Sequence, residues 1–290
     1  MSDELNNSDE VIITCGDGVK IIGTLFKPHQ TLKGAVLIAP ATGIKRQLYI
    51  RFAQYLAKSG YVVLTFDNRG IGESLAGKVK HSTVSLQCWG EQDMPAALDF
   101  LMTRFPLINY HLIGHSAGGQ LIGLMNNARH ISSVFNVSSS SGCLKNMSFP
   151  FIISANFFMN IVIPLSNFIF GHTKAQWFGM GEPLPKQVAR QWQKWCNGQG
   201  YVKTAFGKTV HQHLYNELAM PAIWVNASDD HIANDINVAD MISVFPKMQA
   251  QTLTLNKEDY DLDEIGHIKF FSRNSQALWK HTTDWLALHS

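Results

Sequence analysis

The chain has 290 residues, of which 46% are apolar and 16% are charged. This composition excludes a disordered, collagen-like or coiled-coil protein and indicates one large globular domain or two small ones. The formal net charge is only +2, and no stretch stands out as rich in Lys or Arg, so the sequence predicts no nucleic-acid partner.

Metal and cofactor motifs are not apparent in the sequence. The four cysteines are scattered and form no C-x-x-C pair, so neither a zinc site nor a disulfide framework is predicted. The glycine-containing segment 67–74 lacks the Lys-Ser/Thr pair of a phosphate-binding P-loop and suits a structural turn. We therefore expect no metal and no other cofactor.

Two segments bear on localisation. Residues 1–10 are polar and acidic, which predicts a disordered tail rather than a signal peptide. The most apolar stretch, 149–170, is interrupted by Asn156, Asn160, Pro164 and Asn167, whereas a bilayer-spanning helix needs about 20 apolar residues without such breaks. We expect a cytoplasmic protein without a transmembrane segment, and leave open whether this stretch touches a membrane surface.

Short apolar runs alternate with helical patterns through most of the chain. Near the N-terminus, segments 11–14 and 20–26 flank Gly16-Asp17-Gly18, which predicts a hairpin. Further strands are predicted at 34–39, 61–66, 110–113, 131–137, 222–226 and 251–255, and helices at 46–59, 91–104, from Ala117, at 234–243 and at 268–288. This alternation predicts an α/β fold with a mainly parallel sheet and helices on both faces.

The alternation stops between residues 142 and 215, in a segment rich in Phe and Trp. A structureless loop of this length is improbable in a compact domain, so the segment predicts a helical insertion. Its aromatic side chains either fill a core of their own or cover a pocket as a lid, and one insertion can do both. The predicted organisation is thus an α/β core of residues 11–141 and 216–290, with a helical cap or lid at 142–215.

A serine between two glycines follows the predicted strand at 110–113. In Gly114-His115-Ser116-Ala117-Gly118, the serine stands between a buried strand and a helix, a pattern typical of the nucleophile elbow. Such a turn strains the serine backbone, and the neighbouring chain passes too close to tolerate side chains at the two glycines. Ser116 is therefore the candidate nucleophile, against the simpler interpretation of a glycine-rich turn.

A serine nucleophile needs a base, and the base needs an acid that orients it. On this fold the chain order is serine, acid, histidine, each after a strand. Asp230 is the preferred acid, with Asp229 left open as the alternative or as a turn carboxylate, and His267 is the candidate base. We expect the His115 side chain to point away from the serine, and His231 to be exposed or to face the lid.

An oxyanion hole requires two backbone N–H groups, one after the nucleophile and one from the loop after the first central strand. Ala117 supplies the first. The second lies in Ala39-Pro40-Ala41-Thr42-Gly43, where Pro40 has no N–H group. Ala41 and Thr42 both remain candidates.

These motifs resemble those of the α/β-hydrolase superfamily, particularly its branch of serine aminopeptidases, monoacylglycerol lipases and related esterases. The resemblance covers about residues 10–288 and is weakest across the insertion. It extends to a bacterial group of predicted α/β hydrolases, which carry A-P-A-T-G at the position where other relatives carry His-Gly. It implies that Ser116 is the nucleophile, Asp230 the orienting acid and His267 the base. The segments that carry it are Asp67-Asn68-Arg69-Gly70, Gly114–Gly119, Asp229-Asp230-His231-Ile232 and Gly266-His267.

The sequence thus predicts a serine hydrolase, similar to carboxylesterases, lipases and thioesterases, that acts on a small ester or thioester with an apolar part. One alternative is a non-catalytic protein of the same fold that binds a hydrophobic ligand. Another is an enzyme that uses the same triad on peptide or C–C bonds. The sequence does not indicate the natural substrate or the oligomeric state.

Overall fold

A computed structural model describes residues 8–290. The strands are β1 (Ser8–Thr14), β2 (Lys20–Phe26), β3 (Gly34–Ala39), β4 (Tyr61–Phe66), β5 (Tyr110–His115), β6 (Ile131–Val137), β7 (His172–Thr173), β8 (Leu184–Pro185), β9 (Pro221–Ala227) and β10 (Gln249–Leu255). The α-helices are α1 (Ile50–Lys58), α2 (Leu86–Cys88), α3 (Met94–Arg104), α4 (Ala117–Gln120), α5 (Phe151–Phe157), α6 (Ile163–Phe170), α7 (Lys186–Cys196), α8 (Asp235–Ile242) and α9 (Trp279–Leu288). Two π-helical turns, Trp89–Asp93 and Phe158–Val162, precede α3 and α6.

Eight strands form one sheet in the order β1-β2-β4-β3-β5-β6-β9-β10. All pairs from β4 to β10 are parallel, and β1–β2 and β2–β4 are antiparallel. The central strands β3, β4 and β5 are buried along their whole length, because a separate apolar core packs on each face of the sheet. The prediction of a mainly parallel α/β sheet is confirmed, and the carboxyl ends of its parallel strands meet at one edge.

The prediction of a disordered tail over residues 1–10 is wrong for residues 8–10. Ser8, Asp9 and Glu10 belong to β1 and pair with β2, whereas residues 1–7 lie outside the described residues. The polar side chains of this strand have partners on the core, since Asp9 accepts a hydrogen bond from Lys27 at 2.6 Å and Glu10 accepts one from Arg46 at 2.8 Å. Polarity therefore marks an exposed edge strand at these positions, not disorder.

Two predicted helices are shorter than expected. The helix from Ala117 lasts only to Gln120, in a segment where Gly118 and Gly119 weaken helix propensity. The helix predicted over 268–288 begins at Trp279 and is preceded by two 3₁₀ turns. In these turns the Ser275 hydroxyl donates to the Lys269 carbonyl at 2.6 Å, which is the competition for backbone groups that keeps serine out of regular helices.

The turn after β4 forms buried ion pairs with residues of neighbouring segments. The Asp67 carboxylate accepts hydrogen bonds from the backbone N–H of Arg46 at 2.7 Å and from its guanidinium at 2.6 Å. Arg69 donates to the buried Asp93 at 2.5 Å and also pairs with Asp17. These contacts agree with the interpretation of segment 67–74 as a structural turn.

Residues 142–215 are inserted between β6 and β9 and contain α5, α6, α7 and the antiparallel pair β7–β8. The polar residues and the proline that interrupt the apolar run 149–170 do not interrupt the helix that it forms. The Asn156 side chain donates to the Ile152 carbonyl at 3.0 Å, and Pro164 lies in the first turn of α6, directly after the π-helical turn, so its missing N–H group is tolerated.

The outcome is a continuous helix, Phe151–Phe170. Within the described residues it is the one helix that is long and apolar enough to cross a membrane by these two criteria, and 28% of it is buried. Core helices of soluble proteins also meet these criteria. The helix packs on the protein along one side only.

Candidate active site

Ser116 occupies a sharp turn between β5 and α4. Its backbone angles are φ 48° and ψ −112°, a conformation that is strained for any residue with a side chain. The flanking glycines are required sterically, since a Cβ on Gly118 would overlap the carbonyl oxygen of Ala39, and one on Gly114 would overlap Gly119. The turn therefore has the geometry that the sequence pattern predicts.

Three loops at the carboxyl edge of the sheet bring together the side chains predicted for the triad. His267 Nε2 lies 3.0 Å from Ser116 Oγ, and His267 Nδ1 lies 2.8 Å from Asp230 Oδ2. Because the carboxylate only accepts hydrogen bonds, Nδ1 carries the proton in the neutral ring. Nε2 is then free to accept the proton of the serine hydroxyl.

Asp230 is almost completely buried, at 3% exposure. Burial raises the pKa of this carboxyl, but His267 and the backbone N–H groups of Ile232 and Ala233 outweigh it, and the net effect is a pKa below the usual value. Both N–H groups donate to Asp230 Oδ1 at 2.9 Å. Asp230 therefore stays ionised while it holds the imidazole.

The adjacent Asp229 bonds to a different part of the histidine loop. Its carboxylate accepts hydrogen bonds from the backbone N–H groups of Ile265 at 3.1 Å and Gly266 at 2.8 Å. It does not cap the following helix, because Asn234 accepts from the N–H of Asn237 at 2.9 Å and caps α8. The structure thus brings Asp230, and not Asp229, against the His267 side chain.

His115 and Tyr49 form a buried hydrogen-bonded pair next to the triad. His115 Nε2 lies 2.8 Å from the carbonyl oxygen of His267, so Nε2 carries the proton and Nδ1 accepts a hydrogen bond from the Tyr49 hydroxyl at 2.8 Å. Burial, together with repulsion from a protonated His267, lowers the pKa of His115 to about 3. His115 is therefore neutral and points away from Ser116 as expected, whereas nothing in the sequence marks Tyr49 as its partner.

The contacts of Tyr49 help to decide whether Ala41 or Thr42 supplies the second N–H group of the oxyanion hole. The N–H of Ala41 donates to the Tyr49 hydroxyl at 3.0 Å, so it is already engaged. Ala117 is the first residue of α4, and its N–H has no acceptor within the helix. Thr42 is the remaining candidate in the loop after β3.

A cavity of about 490 Å³ opens on Ser116 and His267. Its walls are mainly apolar, and much of the lining comes from the insertion: Leu144, Met147, Phe151, Ala155, Phe158, Met159, Phe178, Met180, Trp192 and Cys196. His231 is exposed, and its ring centroid lies 5.2 Å from that of Phe151. In residues 8–290, no group of three or more His, Cys, Asp or Glu side chains is arranged to hold a metal ion.

Comparison with known sequences gives one family match. Residues 30–165 match the family described as "Serine aminopeptidase, S33". This region includes Ser116 and the loop at 39–43, whereas Asp230 and His267 lie outside it. No curated protein sequence matches the chain significantly.

Solved structures of the same fold are numerous. A soluble variant of monoglyceride lipase from Saccharomyces cerevisiae has a TM-score of 0.69 at 15% identity, covering 98% of this chain and 96% of that one. An esterase from Pyrococcus furiosus has a TM-score of 0.64 at 15% identity, covering 100% and 94%. A thermostable carboxyl esterase from Bacillus coagulans has a TM-score of 0.66 at 11% identity, covering 98% and 99%. These structures show that the chain has the fold of the α/β hydrolases, and residues 30–165 are similar to the serine aminopeptidase S33 family.

Proposed function

We propose that the protein is a serine hydrolase that cleaves carboxylic esters or thioesters with an apolar part through an acyl-enzyme intermediate. The observation that carries this proposal is the continuous hydrogen-bonded line from Ser116 Oγ through His267 to Asp230, at 3.0 and 2.8 Å. Nucleophile, base and orienting acid then stand in the arrangement that acyl transfer requires.

In the first half-reaction, Ser116 Oγ attacks the acyl carbon while His267 Nε2 takes the hydroxyl proton. Asp230 stabilises the imidazolium that forms, and its low pKa keeps it charged throughout. The imidazolium then gives its proton to the leaving alcohol or thiol, which leaves the acyl group on Ser116. Water, deprotonated by the same imidazole, releases the carboxylic acid and restores the serine.

The tetrahedral intermediate carries a negative oxygen that two backbone N–H groups must bind. We assign these to Ala117 and Thr42, because the N–H of Ala41 is bonded to Tyr49. A donor of this kind is worth about 3 kcal/mol of transition-state stabilisation in other hydrolases. A backbone donor requires no particular side chain, so the Pro40-Ala41-Thr42-Gly43 loop can serve without the His-Gly of relatives.

The lining of the cavity favours esters and thioesters with an apolar group over peptides. The insertion supplies aromatic, aliphatic and sulfur-containing side chains to the cavity but no charged group. A peptide would leave its backbone amide groups without hydrogen-bond partners there, which is costly on binding. An alkyl or aryl chain would bury its surface without that penalty.

A fluorophosphonate probe tests the proposal directly, because it phosphonylates only a serine that a base activates. We expect the wild-type protein to be labelled at Ser116, as located by mass spectrometry, and Ser116→Ala to remain unlabelled and inactive on p-nitrophenyl esters and acyl-CoA thioesters. Ser154→Ala is the matched control, since Ser154 also lines the cavity and its loss should leave labelling intact. Folded wild-type protein that takes no label would contradict the proposal and favour a non-catalytic binder of hydrophobic ligands.

A further inference from the structure

The helix Phe151–Phe170 has two different faces. Phe151, Ala155, Phe158 and Met159 line the cavity. On the opposite side, large apolar side chains are exposed at intervals of about one helical turn. Together with Trp177 they form what we call the apolar face: Phe149, Ile153, Phe157, Ile161, Leu165, Phe168, Ile169 and Trp177, each more than half exposed.

An exposed apolar surface of this length is unusual for a soluble monomer and marks an interaction site. Twenty residues of helix span about 30 Å, and Phe168 is 87% exposed. Elsewhere in the described chain, exposed large apolar residues such as Leu107, Ile236 and Leu288 are scattered. The apolar face is thus continuous, and it lies on the wall of the cavity itself.

The charges around this face identify the kind of partner. Seven of the chain's 24 basic residues lie in the insertion but only one of its 22 acidic residues, Glu182, so the insertion carries a formal charge of +6 and the rest of the chain −4. Glu182 pairs with Lys45 of the core at 3.0 Å. No carboxylate of residues 8–290 forms an ion pair with any of the insertion's seven basic side chains, which are Lys145, Lys174, Lys186, Arg190, Lys194, Lys203 and Lys208.

Basic residues also lie next to the apolar face. The helix α7 packs beside α6, and Asn197, directly after α7, donates to Asn160 of the helix Phe151–Phe170 at 3.0 Å. On α7, Lys186, Arg190 and Lys194 are spaced by four residues and so share one side of the helix. Four residues after α6 ends, Lys174 Nζ lies 4.0 Å from the ring centroid of Phe170 and 4.1 Å from that of Trp177. This combination of aromatic and basic side chains suits the headgroup region of a bilayer.

We propose that the apolar face docks into the surface of a membrane that contains anionic phospholipids. The apolar side chains would enter the boundary between headgroups and acyl chains, and the basic residues of the insertion would contact lipid phosphates. A second copy of the chain fits this face less well. A symmetric dimer would bring together two insertions that each carry a formal charge of +6. The docking does not depend on the proposed catalysis.

Vesicle flotation tests the proposal, with all proteins in a Ser116→Ala background so that binding is measured apart from hydrolysis. We expect binding to vesicles of equimolar phosphatidylcholine and phosphatidylglycerol, and weaker binding to phosphatidylcholine alone or at high salt. The double variant Ile161→Glu/Phe168→Glu should reduce binding at least about tenfold, because it puts two charges on the apolar face. The matched control Ile236→Glu/Leu288→Glu changes two exposed apolar residues of the core and should bind as before.

A further variant, Lys186→Gln/Arg190→Gln/Lys194→Gln, removes three of the seven basic side chains. It should weaken the preference for anionic vesicles and keep the binding to phosphatidylcholine. Thermal melting of every variant shows that each is folded. The proposal is overturned if the parent protein does not float with anionic vesicles, or if the double glutamate variant floats equally well. It is also overturned if sedimentation shows a dimer that this variant dissociates while no vesicle binding occurs, since the face would then join two copies of the chain.

Discussion

Asp229 and Asp230 are adjacent in the sequence, yet their carboxylates act on different parts of the same loop. Asp230 accepts the Nδ1 hydrogen bond of His267, whereas Asp229 accepts the backbone N–H groups of Ile265 and Gly266. The first contact sets the tautomer of the imidazole, and the second sets the position of the loop that carries it. Substitution of each carboxylate by its amide should separate these two effects.

We expect Asp230→Asn to lower kcat on a p-nitrophenyl ester roughly ten-thousand-fold, because an amide nitrogen facing Nδ1 favours the wrong tautomer. Asp229→Asn should lower kcat only about tenfold, since it displaces His267 without changing its proton. Steady-state kinetics and thermal melting of both variants provide the measurement. Equal losses, or a larger loss for Asp229→Asn, would show that the orienting acid is misassigned.

The sequence predicts the serine, the acid and the histidine because each follows a buried strand, and chain order on this fold restricts where they stand. It does not decide between Asp229 and Asp230, since both follow β9 and the choice depends on which carboxylate faces the ring. Nor does it reveal Tyr49, whose contact with His115 and Ala41 joins three separate segments. Contacts made only by tertiary structure leave no local pattern in the sequence.

At the level of elements, the strands were predicted more closely than the helices. The bounds of β3, β4 and β6 agree with the prediction, because buried strands are short apolar runs between turn residues. The observed helices differ from the predicted ones where tertiary contacts override the periodicity of the sequence. In the segment before α9, for example, the Trp279 indole donates to the Phe270 carbonyl at 2.7 Å. In the helix Phe151–Phe170, Asn156 donates to the Ile152 carbonyl and Asn160 donates to the Asn156 side chain, and the helical backbone stays intact.

His111 on the central strand β5 makes the stability of the sheet depend on pH. Its ring is 1% exposed and lies 2.9 Å from the Ser133 hydroxyl. Burial lowers the pKa of His111 to about 4 from its ordinary 6.5. The unfolded chain therefore binds a proton at a higher pH than the folded chain does.

It follows that the stability contributed by neutral His111 is fully present above pH 6.5 and is lost as the pH falls towards 4. The loss is about 3 kcal/mol over this window, at about 1.4 kcal/mol per unit of pKa difference. Urea unfolding at several pH values, for the wild type and for His111→Gln, isolates this contribution because the other groups titrate in both proteins. Parallel pH profiles of the two proteins would contradict the pKa assignment.

At the scale of the whole molecule, the insertion carries both the wall of the cavity and the apolar face. One helix serves both surfaces, since residues two positions apart point to nearly opposite sides of a helix. Ala155 lines the cavity and Ile153 is exposed on the opposite face. A bulky residue at each position therefore tests whether the helix sets the acyl length that the site accepts.

We expect Ala155→Trp to lower kcat/KM for long-chain p-nitrophenyl esters at least about tenfold, because loss of even one methylene contact costs about 1 kcal/mol or more. Hydrolysis of p-nitrophenyl acetate should be affected least, since the acetyl group needs only the space next to Ser116. Ile153→Trp is the matched control on the same helix, and with soluble esters it should keep the wild-type preference for chain length. If Ala155→Trp lowered kcat/KM equally for every ester, the insertion would support the geometry of the triad rather than select the acyl chain, and the walls that set chain length would have to lie on the core side of the cavity.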